Sequence, residues 1–312
     1  MARRNQRRRK PEPPGPSGFL VVDKPPGMTS HDVVDAARRW LSTRRVGHLG
    51  TLDPQATGVL PLAVRAATKL IPFLEGGGKG YDGTIVLGSE TDTLDLEGEV
   101  LRRHEGELPD RDTVEAALAT FKGDVQQVPP MYSAVKKDGV PLHKLAREGK
   151  EVERDPKWIT IDSLEVTRFE SPELDVRVAC SAGTYVRVLA ADLGTKLGCG
   201  AHLGGLRRTR SGPFALDQAK TFATCEKALE QDRLEDLLVS PEETLGFPVL
   251  ELSKALRLRI RNGGDVPAGE LHTKKPGTRV SVLDEDGEFI AVGEIRADHR
   301  LWPLRVLPEE PS

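Results

Sequence analysis

The sequence predicts an α+β fold, one sheet of mixed strands with flanking helices, followed by a small β-rich piece. Strand-length apolar runs alternate irregularly with stretches of helical period, which disfavours a regular βαβ array. Ser240-Pro241 and Gly246-Phe247-Pro248 mark a boundary about 65 residues before the end of the 312-residue chain. No internal repeat is visible.

Residues 1–17, MARRNQRRRKPEPPGPS, join like charge to proline and are expected to be a disordered basic tail. Phe19 to Val22 reads as a buried strand that breaks at Asp23-Lys24-Pro25-Pro26-Gly27. Ser30 is placed to cap a helix in which Val33, Val34, Ala37, Trp40 and Leu41 recur at three- and four-residue intervals. Gly80 to Gly88 and Leu174 to Cys180 alternate as half-buried strands. Between them Asp112 to Phe121 reads as an amphipathic helix closed by Gly123. Residues 124–154 contain Pro129-Pro130 and Gly139-Val140-Pro141, and are expected to leave the core as a long, functional excursion. Past the boundary, Val280, Val282, Phe289 and Ala291 flank an Asp286-Gly287 turn, a hairpin signal.

Composition excludes several classes. Hydrophobic residues make up 38%, and no apolar run approaches the roughly 20 residues of a membrane span. The basic, proline-rich start lacks an apolar core for a secretory signal, so a soluble cytoplasmic protein is expected. Cys180, Cys199 and Cys225 have no metal-ligand spacing, which argues against a disulfide framework or zinc site and for small buried apolar roles. Net charge is −3, but the first ten residues hold six basic side chains and no acidic one. Positive charge elsewhere is local, at Arg38, Arg39, Arg44 and Arg45 and at Arg207, Arg208 and Arg210. Such blocks suit a basic face for a polyanion, or plain solvated surfaces.

The most unusual segment is Gly47-His48-Leu49-Gly50-Thr51-Leu52-Asp53-Pro54-Gln55-Ala56-Thr57-Gly58. An Asp-Pro step alone reads as a helix start, with Asp as cap. Its setting points elsewhere. Gly47, Gly50 and Gly58 permit close approach of a ligand, and Arg44, Arg45 and His48 bring phosphate- or base-binding groups near. An aspartate of ordinary pKa, about 3.9, is ionised at neutral pH and can attack an electrophilic sugar or base carbon.

GHLGTLDPQATGVLPL resembles the nucleophile motif of the TruB family of pseudouridine synthases, which modify tRNA. LVVDKPPGMTSHDVV is similar to that family's first motif, and KGYDGTIVLGSETDTLDLEGEV to its tyrosine-bearing strand. SAGTYVRVLAADLGTKLGCGAHLGGLRRTRSG resembles its arginine-bearing motif, and PPMYSAVKKDGVPLHKLAREGKEVER its RNA-gripping insertion. The match runs from about residue 18 to about residue 220.

The resemblance implies a pseudouridine-synthase-like, mixed, largely antiparallel sheet over residues 18–245, with the insertion at 124–154 and a PUA-like C-terminal domain over 246–308. It implies isomerisation of uridine 55 in the T loop of tRNA. That conversion is redox-neutral and consumes nothing, so no cofactor or metal is expected. Asp53 is implied as nucleophile, attacking C1′ or C6 or assisting elimination to a glycal. Arg187 is its implied partner. If Thr184 to Arg187 is extended, Tyr185 and Arg187 share a face; otherwise Arg187 is a solvent-facing helix residue off the stripe Val186, Leu189, Leu193 and Leu197. Tyr81 is implied to stack on the uracil, and to take the sugar proton if the elimination route is followed, although its face-mates Ile85 and Leu87 also suit a core tyrosine. Substrate-binding roles are implied for His48, which would fill the space of the flipped nucleotide, and for Lys24, Lys69, Tyr185 and Leu206.

One departure is His143, where the family commonly has tyrosine. Thr91-Asp92-Thr93-Leu94-Asp95 is read as a hydrogen-bonded loop rather than a metal site. The expected partner is the tRNA T stem-loop, bound by a monomer without guide RNA or membrane. The alternatives are the same chemistry inside a guide-RNA complex, and a non-catalytic RNA-binding or tRNA-folding protein. The trio Asp53, Tyr81 and Arg187 argues against the last.

Overall fold

The computed structural model describes residues 15–133 and 135–309. Its larger part is built on a nine-stranded sheet. Along the main path the strands run in the order Gly18–Lys24, Thr57–Val64, Ala201–Ser211, Lys79–Leu87, Glu173–Cys180, Lys157–Glu170 and Gly123–Gln127. Neighbours on this path are antiparallel except Thr57–Val64 with Ala201–Ser211, where Arg208 lies opposite Gly58 in parallel register. The mixed, largely antiparallel sheet is as predicted.

The helices Ser30–Trp40, Arg111–Ala119 and Val186–Leu197 supply Val33, Val34, Val114, Leu118, Leu189 and Leu193 to the main core. From the first strand, Leu20 and Val22 enter that core. Phe19 and Val21, on the other face, enter a second core with Val59, Ala63, Phe214, Val292 and Leu307. A strand buried on both faces explains the continuous apolar run there. The second core also joins the C-terminal piece to the rest, because Val292 and Leu307 belong to that piece.

The C-terminal piece is a five-stranded sheet in the order Val249–Leu252, Arg279–Asp284, Phe289–Ile295, Arg300–Val306, Val266–Pro267. The expected hairpin forms, with Gly287 at φ +80° in its turn. Ile260, Val280, Val282, Ile290 and Leu301 make a core of its own.

Several local expectations need correction. Thr29, not Ser30, caps the first helix: its hydroxyl accepts from Asp32 N (3.1 Å), and Asp32 accepts from Thr29 N (2.8 Å). Asp110 caps the helix Arg111–Ala119, and Gly123 opens an edge strand instead of closing that helix. Residues 124–127 therefore belong to the main sheet. The rest of the 124–154 segment carries the short pair Lys136–Lys137 and Val140–Pro141 and the helix Leu142–Arg147. The His143 side chain lies outside the described residues, as do residues 1–14 of the expected tail. The tail's last residues are anchored: Pro16 O accepts from Arg65 (3.2 Å) and Ser17 Oγ from Ala66 N (2.9 Å). All three cysteines are buried. Among the described residues, no helix is long and apolar enough to cross a membrane.

Gly58 sits at φ +98°, and a Cβ there would run into the backbone of Arg208. The left-handed backbone alone costs a non-glycine residue roughly 1–3 kcal/mol. Gly58→Ala is expected to lower the urea midpoint by at least that equivalent; an unchanged midpoint would contradict this account of the parallel strand pair.

Candidate active site

The loop that carries Asp53 joins the short strand Val46–His48 to Thr57–Val64. No helix follows Pro54, so Asp53 is not a helix cap. Three buried side chains hold the loop through its backbone. Lys24 Nζ donates to Pro54 O and Ala56 O, both at 2.7 Å, on either side of Gln55. Ser30 Oγ accepts from Leu52 N (2.8 Å) and donates to Leu52 O (3.1 Å). Arg208, 1% exposed, donates from Nε to Val59 O (2.7 Å), from Nη1 to Thr51 O (3.3 Å) and from Nη2 to Gly50 O (3.1 Å). With its flanking carbonyls taken, the loop presents the Asp53 side chain to a pocket of about 370 Å³.

Inside the pocket Arg187 Nη1 forms an ion pair with Asp53 Oδ2, and Nη2 donates to Tyr132 O. Asp95 Oδ2 stands 3.7 Å from the same Nη1. Arg187 is 4% exposed, which rules out the solvent-facing reading. It is nonetheless helical: Tyr185 is the N-cap and the helix starts at Val186, so the extended stretch expected for 184–187 ends two residues early. Both side chains still reach the pocket, with the guanidinium 5.8 Å from the Tyr185 ring centre. Gln127 fixes this helix start, accepting from Tyr185 N (2.8 Å) and donating to Tyr185 O (3.1 Å).

The Asp53 pKa is raised above its ordinary 3.8. Burial is the largest cause, Arg187 opposes it, and Asp95 and Glu97 add to it. About 41% of the side chain is open to the pocket, yet close protein walls still make desolvation dominate. The ordinary titration assumed from sequence is thus corrected upward, and Arg187 is the cation that limits the rise.

Tyr81 lines the same pocket from the strand Lys79–Leu87, with the Arg208 guanidinium the leading charge acting on its phenol. Burial pushes the phenol's pKa up, so Tyr81 holds its proton at neutral pH. Leu206 also lines the pocket, and a second cavity beyond it that reaches Asp95 and Glu97. The other sequence-picked residues sit differently. Lys24 is fully buried under the Asp53 loop. His48 is half-buried beside the pocket-lining Leu49 and outside the lining; burial, then Arg208, lowers its pKa, and Nδ1 has no hydrogen-bond partner. Lys69 is exposed on a short turn and also outside the lining.

The basic run at 207–210 is only partly a surface. Arg208 points inward, and Arg207 pairs with Asp23 at 2.8 and 3.1 Å. The 91–95 loop is hydrogen-bonded as expected, with Thr91 Oγ1 donating to Asp95 O (2.8 Å) and Asp92 accepting from Glu99 N (2.8 Å). Among the described residues no group of side chains could hold a metal ion. Sequence reasoning missed Asp95, Gln127, Lys79, Ser30 and the inward turn of Arg208. For Lys79 a signal existed, because it lies two residues from Tyr81 on one strand face.

Sequence profiles of known families match along most of the chain. The profile described as TruB family pseudouridylate synthase (N terminal domain) matches residues 38–186. That of the tRNA pseudouridylate synthase B C-terminal domain matches 187–245, and that of pseudouridine synthase II TruB, C-terminal, matches 248–307. A tRNA pseudouridine synthase B of Pseudomonas aeruginosa is 46% identical over 295 residues, covering 93% of this chain and 96% of that one. The Geobacter sulfurreducens protein of the same name is 45% identical, covering 91% and 95%. Among solved structures, a chain of a Cbf5-Nop10-Gar1 complex superposes with TM-score 0.67 at 27% identity, covering 95% of this chain and 84% of that chain.

The charge arrangement predicts two opposite shifts in the Asp53 titration, read from its ¹³C-carboxyl chemical shift. Arg187→Met removes the opposing cation and should raise the pKa further. Asp95→Asn removes a like charge and should lower it. Shifts of the same sign in both variants would contradict the assignment of causes.

Proposed function

The chain belongs to the TruB family of pseudouridylate synthases, and we propose that it converts uridine 55 in the T loop of tRNA to pseudouridine with Asp53 as nucleophile. The observation that carries this reading is the Asp53–Arg187 ion pair opening onto the same pocket as Tyr81.

The reaction breaks the C1′–N1 bond, turns the uracil and joins C5 to C1′; a proton leaves C5 and one is taken up at N1. Attack at C1′, attack at C6 and elimination to a glycal all end in this exchange. The raised pKa of Tyr81 argues against the phenol as resting base of the elimination route. Its ring is suited to stacking. Extruding a base costs a few kcal/mol, and aromatic stacking returns roughly 1–3 kcal/mol per base, so phosphate contacts must supply the remainder. Tyr185 and Leu206 line the space the base would occupy. Lys24 acts through the loop it supports, and His48 and Lys69 are proposed to meet RNA outside the pocket. Detached uracil must be kept from water. Being redox-neutral, the exchange needs no nucleotide, metal or flavin.

We assign catalysis to residues 18–245, RNA gripping to the 124–154 segment and a PUA-like role to 246–308. Action as a monomer is part of this proposal. Bare tRNA is proposed as the substrate. The Cbf5 chain comes from a complex with Nop10 and Gar1, but the tRNA synthases are much closer in sequence and match along nearly their whole length. A soluble tRNA-modifying enzyme belongs in the cytoplasm. A protein that only binds RNA has no use for a desolvated nucleophile held against a guanidinium.

The test is tritium release from a T stem-loop carrying 5-tritiated uridine at the target, with no guide RNA added. Wild type is expected to release tritium, and Asp53→Asn to release none while keeping its RNA affinity. Turnover by the variant would remove Asp53 from its role; silence of the wild type on bare RNA would remove the guide-free reading.

A further inference from the structure

Two cations stand on the Tyr81 wall, Arg208 and Lys79, and Lys79 has no task in the reading above. Lys79 lines the pocket two residues before Tyr81, on the same face of the strand. Its Nζ donates to Ser211 Oγ at 2.8 Å, which uses one of three available donors. A Cβ built on Gly50 would lie 3.7 Å from Lys79 Nζ and 3.8 Å from Arg208 Nη1, so the two cationic heads converge over that glycine.

Among the described residues neither cation meets a carboxylate. The charged groups acting on Lys79 are the cations Arg208 and Arg210, and no carboxylate is among the groups acting on Arg208, whose pKa burial lowers. Asp53, by contrast, is governed by Arg187, Asp95, Glu97 and Lys24. The pocket therefore has two poles, with excess negative charge around Asp53 and unneutralised positive charge around Tyr81. Arg208 has a structural duty that accounts for its burial, the carbonyls of the Asp53 loop. Lys79 has none. A half-buried ammonium facing only a hydroxyl is disfavoured, and its partial burial pushes its pKa down to about 8, which leaves most of it charged at neutral pH.

The chemistry calls for such a pole. When C1′–N1 breaks, its electron pair leaves with the base, which becomes an anion spread over N1, O2 and O4. The Asp53 carboxylate gives up its charge by bonding C1′, or by taking the C2′ proton on the glycal route. Attack at C6 likewise pushes charge onto the base oxygens. In each case one negative charge moves from the Asp53 pole to the base. When C5 joins C1′ the carboxylate is released or, on the glycal route, returns its proton to C2′, and the base is neutral again; the C5 proton passes to solvent and N1 is protonated, so no co-reactant is consumed.

We propose that Lys79 is a catalytic residue that stabilises the negative charge of the detached uracil, with Arg208 adding positive charge beside it. This rests on the reading of the pocket as a pseudouridine synthase site. Fixed charges aimed where charge develops act on the transition state rather than on binding.

The experiment is single-turnover conversion of a T stem-loop with uridine or 5-fluorouridine at the target, followed as loss of the parent nucleoside after digestion. Fluorine stabilises the base anion and so lessens the need for an external cation. On uridine RNA, Lys79→Met is expected to slow the rate constant on the order of 100-fold, with RNA affinity kept and Lys79→Arg recovering most of the loss. On 5-fluorouridine RNA the deficit should shrink. An unaltered rate, a loss confined to RNA affinity, or an equal deficit on both substrates overturns the proposal. Should Lys79→Met fail to fold by circular dichroism, Lys79→Gln against Lys79→Arg carries the same comparison. Activity of Asp53→Asn would instead overturn the broader reading, so the two failures are distinguishable.

Discussion

A carboxylate that attacks carbon is dulled by each water that solvates it, and tends to pick up a proton when those waters are removed. Asp53 meets both pressures at one spot, where burial raises its pKa and the Arg187 guanidinium pulls it back. The arginine is more enclosed still, and a lone buried cation would be unfavourable. It is made tolerable by Asp53, by Asp95 at 3.7 Å and by the carbonyl of Tyr132. Two carboxylates around one guanidinium leave negative charge in excess, so the pair does not cancel the Asp53 charge. It favours the charged carboxylate.

That balance holds only if the Asp53 loop cannot swing toward water, and much of the surrounding fold serves this requirement. Lys24 from the first strand and Arg208 from the long strand Ala201–Ser211 reach under the loop and bind its carbonyls, while Ser30 pins Leu52 at the start of the first helix. Two of these supports are buried cations satisfied by backbone dipoles rather than by acids, an arrangement that fixes position without adding a competing carboxylate near Asp53. Close approach of the parallel strands at Gly58 lets the Arg208 side chain come within reach of Val59 O and Gly50 O.

What the sequence disclosed, and what it hid, follows from the range of the interactions. Phe19 to Val22, the alternation of Gly80 to Gly88 and the Asp286-Gly287 hairpin depend on nearest neighbours and on burial, and all three form close to where their pattern lies. Ser30 was misread as a cap because Thr29 and Ser30 are both competent; Leu52, 22 residues away, takes the second hydroxyl. Counting arginines at 207–210 could not reveal that Arg208 turns inward, since direction along a strand is settled by the parallel neighbour. Arg187 offered the reverse case. Its position off the apolar stripe suggested solvent, yet the acidic pocket at the helix start buries it. Asp95 could not be picked from a polar loop until the fold brought it to Arg187.

The long excursion after Gln127 is tied to the charge balance at its root. Gln127 exchanges two hydrogen bonds with the backbone of Tyr185, immediately before the helix that carries Arg187. A few residues on, Tyr132 lines the pocket and its carbonyl accepts from the second guanidinium nitrogen. The same short segment thus walls the pocket and orients the cation that limits the Asp53 pKa. Enclosure raises that pKa by excluding water, while a correctly aimed guanidinium lowers it, and the two effects are anchored within six residues of chain. Linking them in this way means that the pocket gains the cation's orientation from the very segment whose closeness makes the cation necessary.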